Sequence, residues 1–335
     1  MNRDTISIHF VNAALHGAKR LGMDVDTLLS HVGIEAELLH QAKARISPEQ
    51  YTRFVQMLWM VTQDEFIGFG PMRRLGTFAI MCQLVVNAKT LGEALERSTQ
   101  FYKLFGDEWL VTLERDKHEA RLVPNVPKDQ DPDHYITESI LMIWHGFAAW
   151  LIDRRIPLDR VHFNYPRPNH GDEYDAMFFA PVAQFDAHRT EIVFAADYLD
   201  LPIRQDELRL EEFLKEAPAN LLVKFKNTNS LTSRIRDVLK SQIGEEMLTL
   251  NDVASMLYLS PQTLRRRLAA EGKSYQGVKD ALRRDAAIHL LLNPRLTLED
   301  VAQQVGFSET STFHRAFKKW TGVTPGLYRQ LHGYH

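Results

Sequence analysis

The sequence predicts an α+β chain in two parts, a mixed helix and strand N-terminal domain followed by an all-α C-terminal domain. Three observations carry this. The pattern Thr249-Leu250-Asn251-Asp252-Val253-Ala254 recurs 48 residues later as Thr297-Leu298-Glu299-Asp300-Val301-Ala302, so the C-terminal part contains a duplicated helical unit. Upstream, helical stripes alternate with short β-branched and aromatic runs such as Glu191-Ile192-Val193-Phe194. At 335 residues and 44% hydrophobic, the chain is long enough to bury two separate cores.

The N-terminal domain is expected over 1–217. Ser47-Pro48-Glu49-Gln50 is a capping box with Pro in the first turn, and Phe54, Val55, Leu58 and Trp59 behind it form an apolar stripe. Thr90-Leu91-Gly92-Glu93 opens a second helix, with Leu95, Ser98, Phe101, Tyr102 and Phe105 along one side. Trp109–Leu113 and Glu119–Val123, separated by a charged turn, suggest a hairpin. Ile136–Ile152 reads as a long buried helix, and Arg160–Phe163 and Glu191–Phe194 as further strands. Residues 218–230, rich in Asn, Ser and Thr, read as a linker.

The C-terminal domain is expected over 231–335, with helix-turn-helix units at about 249–270 and about 297–320. In the first, Thr249 and Asp252 form a capping box, and Val253, Ala254 and Leu257 recur at helical spacing. Ser260-Pro261 starts the next helix, because Ser caps it and Pro suits its first turn. Leu264 and Leu268 form the buried side of that helix, and Gln262, Arg265, Arg266 and Ala269 the exposed side. The second unit repeats this with Leu298, Val301, Ala302 and Val305, then Phe313 and Phe317 as anchors. Gly306 sits in its turn, where a left-handed backbone favours a residue without Cβ; the counterpart is Tyr258, a departure costing about 1 kcal/mol if the same conformation is needed. The second turn is one residue longer, which makes the anchor offset 49 from Leu264 to Phe313.

Charge tells what such units face. Residues 247–335 carry 12 Lys and Arg against 7 Asp and Glu, net +5, although the whole chain is −3. A basic module on an acidic body suits a polyanion, and twin helix-turn-helix units suit duplex DNA.

Residues 231–335 resemble the DNA-binding domain of AraC/XylS-type transcription regulators. The resemblance is carried by Leu298-Glu299-Asp300-Val301-Ala302, Gly306-Phe307-Ser308, Phe313 through Gly322, Thr324-Pro325 and Tyr328-Arg329, with Leu282-Arg283 and Ala287 upstream. It implies a seven-helix domain whose two recognition helices enter neighbouring major-groove segments. Gln262, Arg265 and Arg266 would then face bases in one segment and Ser311, Thr312 and Arg315 in the next, while Lys318, Lys319 and His314 would hold backbone. The N-terminal part resembles, less specifically, the sensor domain of ornithine-utilisation-type members. Its matching words are Ile46-Ser47, Gly68-Phe69-Gly70, Thr90 through Leu95, Phe185-Asp186 and Phe194 through Leu199. This implies effector sensing and self-association, with no ligand-binding residue carried over.

Other chemistry finds little footing. Cys82 is the only cysteine, which excludes an internal disulfide and a multi-thiolate zinc site; within Phe78–Val86 it reads as a small buried hydrophobe. No run of eighteen apolar residues is present, the start does not read as a signal peptide, and the single thiol suits the reducing cytoplasm. His134 near Asp131 and Asp133, and His162 near Asp159, come without any catalytic or metal-binding motif, so no enzyme, metal or cofactor is expected. Trp144, His145, Trp150, Phe178 and Phe179 are pocket candidates whose plainer reading is core packing. The expectation is a homodimeric, effector-controlled activator that meets operator DNA and RNA polymerase. Its alternatives are a regulator whose N-terminal domain binds a protein, and an enzyme carrying a DNA-binding tail.

Overall fold

The computed structural model describes residues 5–105, 111–168, 170–178, 183–215, 231–240, 247–270 and 273–332. In chain order the strands are β1 (Ile6–Ser7), β2 (Arg45–Ile46), β3 (Val111–Arg115), β4 (Glu119–Pro124), β5 (Arg160–His162), β6 (Ala183–Gln184) and β7 (Glu191–Ala195). The first helices are α1 (Ile8–Arg20), α2 (Val25–His31), α3 (Pro48–Thr62), α4 (Thr77–Val85) and α5 (Leu91–Lys103). They are followed by α6 (Tyr135–Leu151), α7 (Tyr174–Phe178) and α8 (Glu207–Lys215). From residue 231 onward come α9 (Leu231–Lys240), α10 (Leu250–Met256), α11 (Pro261–Ala270), α12 (Tyr275–Leu291), α13 (Leu298–Gln304), α14 (Thr310–Thr321) and α15 (Pro325–His332). The chain is therefore the expected α+β mixture ending in seven helices among the described residues. It divides into two compact units, one of Ala13–Asp24 with Val55–Lys226, the other of Met1–Asn12 and Val25–Phe54 with Asn227–His335.

The first unit is built on a five-stranded sheet of order β3-β4-β7-β5-β6, antiparallel except between β5 and β6. The hairpin pairs Val111 with Pro124 through Arg115 with Ala120. Its turn is held by Asp116, whose carboxylate accepts the His118 and Glu119 N–H groups, both at 2.9 Å. Trp109 and Leu110, which the sequence assigns to that hairpin, lie outside the described residues, as does the 218–230 linker. In β7 Ile192, Val193 and Phe194 are all buried, as a strand covered on both faces requires.

Helix α6 packs against this sheet. Asp131 starts it, accepting the N–H of Ile136 at 3.0 Å and of Thr137 at 2.9 Å. Helix α5 opens as expected, with Thr90 accepting the Glu93 N–H at 3.3 Å. Its apolar side stops short, however: Tyr102 is buried, but Phe105 lies beyond the last turn and is exposed. There the Phe105 ring packs on Phe101 and Tyr102, with centroids 5.4 and 6.4 Å away, and the Arg73 guanidinium sits 5.0 Å from it.

The second unit joins N-terminal segments to the C-terminal helices. Strands β1 and β2 form a two-stranded ribbon, Ile6 opposite Ile46 and Ser7 opposite Arg45. The capping box before α3 is present in both directions, each bond 3.1 Å between Ser47 and Gln50. Two apolar clusters fill the C-terminal helices. One gathers Ile235, Val253, Ala254, Leu264, Leu268, Val278 and Leu282, the other Ala286, Ile288, Val301, Phe313, Phe317 and Tyr328. Helix α12 donates its first half to the first cluster and its second half to the other, so a single helix is the spine of both.

Candidate nucleic-acid interface

The twin units are built alike. In each, a Thr side chain accepts an N–H three residues on while the Asp at that position accepts the Thr N–H, at 2.8 Å for both Thr249–Asp252 and Thr297–Asp300. The Thr hydroxyl bonded to each carboxylate, together with the backbone N–H, holds Asp252 and Asp300 below the ordinary carboxylate range. The fixed negative charge thus stands at the positive end of each short helix.

The turns differ as expected. The first spans Leu257–Ser260 and the second Val305–Glu309, one residue longer. Tyr258 and Gly306 occupy corresponding places with φ of 56° and 80°. Helix α11 is capped by the Ser260 hydroxyl, which accepts the Thr263 N–H at 3.1 Å. Helix α14 starts after Glu309, which makes no side-chain cap.

On α11 Gln262, Arg265, Arg266 and Arg267 are exposed, while Leu264 and Leu268 are buried beneath them. On α14 Ser311, Thr312, Arg315, Lys318 and Lys319 are exposed above buried Phe313 and Phe317, and His314 is half-buried. Arg315 reaches back one turn, with Nη2 3.5 Å from the Thr312 hydroxyl. Each face thus offers guanidinium, amide or hydroxyl donors on a rigid helix braced by an apolar pair.

Helix α12 ties these faces together. The Tyr275 hydroxyl donates to the Leu248 carbonyl at 2.7 Å, fixing the entry to α10. Further along, the Arg283 guanidinium lies 5.0 Å from the Phe307 ring and donates to the Gly306 carbonyl at 3.3 Å, bracing the second turn. This role was not legible from Arg283 alone, because a helical Arg signals an exposed face until the ring it covers is known.

The other candidates are absorbed by structure. Asp131 serves as the α6 cap, and the His134 ring stacks flat on Tyr165 with centroids 3.6 Å apart, where burial lowers its pKa. His162 faces Glu191 at 3.0 Å across β5 and β7. Trp144 packs on Tyr102, Trp150 on Phe213 and Phe178 on Phe163, with centroids 5.5, 4.4 and 5.4 Å apart; the His145 ring bonds the Ile156 carbonyl at 2.8 Å, and Phe179 lies outside the described residues. Cys82 is buried, and burial raises its thiol well above the ordinary range. Among the described residues no group of three or more His, Cys, Asp and Glu side chains is placed to hold a metal ion, and no helix is long and apolar enough to cross a membrane.

Comparison with known proteins decides the family. Residues 22–203, more than half of the chain, match the arabinose-binding N-terminal domain of AraC transcription regulators, and residues 253–331 match a helix-turn-helix domain. The chain belongs to the AraC family of transcription regulators. Among similar AraC-type proteins is an ornithine utilization regulator of Pseudomonas aeruginosa, 25% identical over 331 residues, which cover 98% of this chain and 97% of that one. The transcriptional activator NphR of a Rhodococcus species is 28% identical over 189 residues, 54% of either chain. An HTH-type regulator of Mycobacterium bovis is 35% identical over 170 residues, 51% of this chain and 40% of that protein. The exposed helices α11 and α14 are accordingly the second helices of an AraC-type double helix-turn-helix. The family and its domains mark a DNA-binding regulator and not an enzyme.

Proposed function

We propose that this AraC-type chain is a sequence-specific transcription activator controlled by a small metabolite. In this reading residues 1–217 bind the effector and pair two copies into a homodimer, 218–230 link, and 231–335 engage operator DNA and RNA polymerase in the cytoplasm. Gln262, Arg265 and Arg266 meet bases in one major-groove segment. Ser311, Thr312 and Arg315 meet bases in the next, and Lys318 holds phosphate. Arg can satisfy both acceptors of guanine and Gln both hydrogen-bonding groups of adenine, whereas a Lys ammonium is a point charge suited to backbone.

One observation carries the reading: all seven side chains are exposed on two helices whose opposite sides are sealed by Leu264 with Leu268 and by Phe313 with Phe317. Likeness to an ornithine utilization regulator along nearly the whole chain, and of residues 22–203 to an arabinose-binding domain, supports metabolite control. Likeness to a transcriptional activator supports the sign.

The test is selection of duplexes from a random library by the full chain, followed by base-resolved affinity for Arg266→Ala and Arg315→Ala. Each substitution is expected to cost about 1–3 kcal/mol and relax preference at one base position. Unchanged affinity and preference in both variants would remove these helices from the groove. A screen of amino acids and sugars for a shift in melting temperature and in reporter output tests the effector.

A further inference from the structure

Outside the recognition faces, a buried polar site in the second unit surrounds Asp285. This residue lies on α12 between Leu282, which belongs to one apolar cluster, and Ala286, which belongs to the other. It is a carboxylate at 1% exposure, at the joint between the two helix-turn-helix units.

Its partners come from far apart in the chain. The Thr5 hydroxyl donates to Oδ1 at 2.7 Å, and the same hydroxyl accepts from Arg45 Nε at 2.7 Å. Arg45 Nη2 also donates to the Thr5 carbonyl at 2.7 Å. Arg236 of α9 donates to Oδ2 at 3.2 Å, and Arg284 donates to Oδ1 through Nε at 2.9 Å. The Arg45 carbonyl in turn accepts the buried Tyr328 hydroxyl of α15. Burial alone would push the Asp285 carboxyl upward; the guanidiniums of Arg284, Arg236 and Arg45, with the Thr5 hydroxyl, outweigh it and hold the carboxyl below its ordinary range.

Thr5, just before β1, and Arg45 of β2 therefore reach three places at once: Arg236 of α9 through the shared carboxylate, α12 between the two apolar clusters, and α15 through the Tyr328 hydroxyl. A buried charge satisfied by a hydroxyl and several guanidiniums has one good geometry, and removing a partner strands it. Because α12 is the spine of both clusters, a change in its roll moves α11 and α14 relative to each other.

We propose that Thr5 and Arg45 are positioning residues for DNA recognition, acting through Asp285 and Tyr328 to fix the separation and angle of the two recognition helices. The duplex-reading module is then discontinuous in sequence and extends beyond 231–335. The proposal rests on the reading that α11 and α14 meet DNA.

The experiment uses the full chain and a duplex that the wild type selects from a random library. Affinity is measured for that duplex, for versions with one base pair added or removed between its two contacted segments, and for an unrelated duplex. Thr5→Val and Arg45→Lys are expected to weaken binding to the selected duplex about tenfold, the scale of one hydrogen bond to a charged group. They should also flatten the dependence on spacing and leave the unrelated duplex unaffected, whereas Thr5→Ser, which keeps the hydroxyl, should bind as the wild type does. Wild-type affinity and spacing dependence in both variants would overturn the proposal. Parallel loss on selected and unrelated duplexes, tracking a fallen melting temperature, would also overturn it, because a merely structural role predicts that pattern. Failure of Arg266→Ala and Arg315→Ala to affect the selected duplex refutes the underlying reading separately.

Discussion

Tyr258 and Gly306 hold corresponding places in the two turns, and both backbones are left-handed, with φ of 56° and 80°. The Tyr258 side chain is 96% exposed, so packing does not compensate the unfavourable backbone. Tyr258→Gly should therefore stabilise the first helix-turn-helix unit by up to about 1 kcal/mol, whereas Gly306→Ala should destabilise the second by a similar amount. Calorimetry on the two variants checks both signs. A lower melting temperature for Tyr258→Gly would mean that the exposed ring contributes more than its strained backbone costs.

Phe313 is fully buried and meets the Phe307 and Phe317 rings, each 5.7 Å away between centroids. Phe313→Ala should cost about 3–5 kcal/mol and unfold the second unit before any contact of α14 matters. A wild-type melting curve would remove Phe313 from this core.

The Lys318 side chain is exposed near the end of α14. If it holds phosphate, Lys318→Ala should weaken binding to all duplexes alike and reduce the slope of log affinity against log salt by about one. Sequence-dependent losses with an unchanged slope would instead make it a base reader.

Glu138 lies buried in α6, where its Oε1 accepts the hydroxyls of Tyr165, at 2.9 Å, and of Tyr174. Burial pushes its carboxyl up to about 8, against the opposing effect of the two hydroxyls. A carboxyl raised in the folded state supports folding fully below its unfolded value near 4.5, and that support is lost as pH rises through about 8. Glu138→Gln keeps an acceptor for both tyrosines but cannot ionise. Its melting temperature should match wild type near pH 5 and exceed it at pH 9. Parallel curves across that range would show that Glu138 does not titrate with folding.

Local rules read the recognition region well because its signals are local. A Thr with Asp three residues on, a Ser before a Pro, and apolar pairs four apart state which side of a short helix is buried, and Leu264, Leu268, Phe313 and Phe317 are buried accordingly. The same reasoning overextended α5 to Phe105, because a residue just past a helix end continues the stripe on paper while the backbone has already turned. It marked Arg283 only as part of the family resemblance and did not single out Asp285. The one signal available was that Asp285 falls where Leu282 and Ala286 are buried, on the apolar side of α12.

Sequence alone was enough for the family, the duplicated units, their caps and the donors each recognition helix presents, since periodicity and capping act within a few residues. Only the tertiary structure could bring Thr5 and Arg45 to Asp285 across some 280 and 240 positions, as the separations of these residue numbers give. Partners for a buried charge are chosen by the closure of the whole chain around it, and no spacing rule within a short stretch encodes that choice.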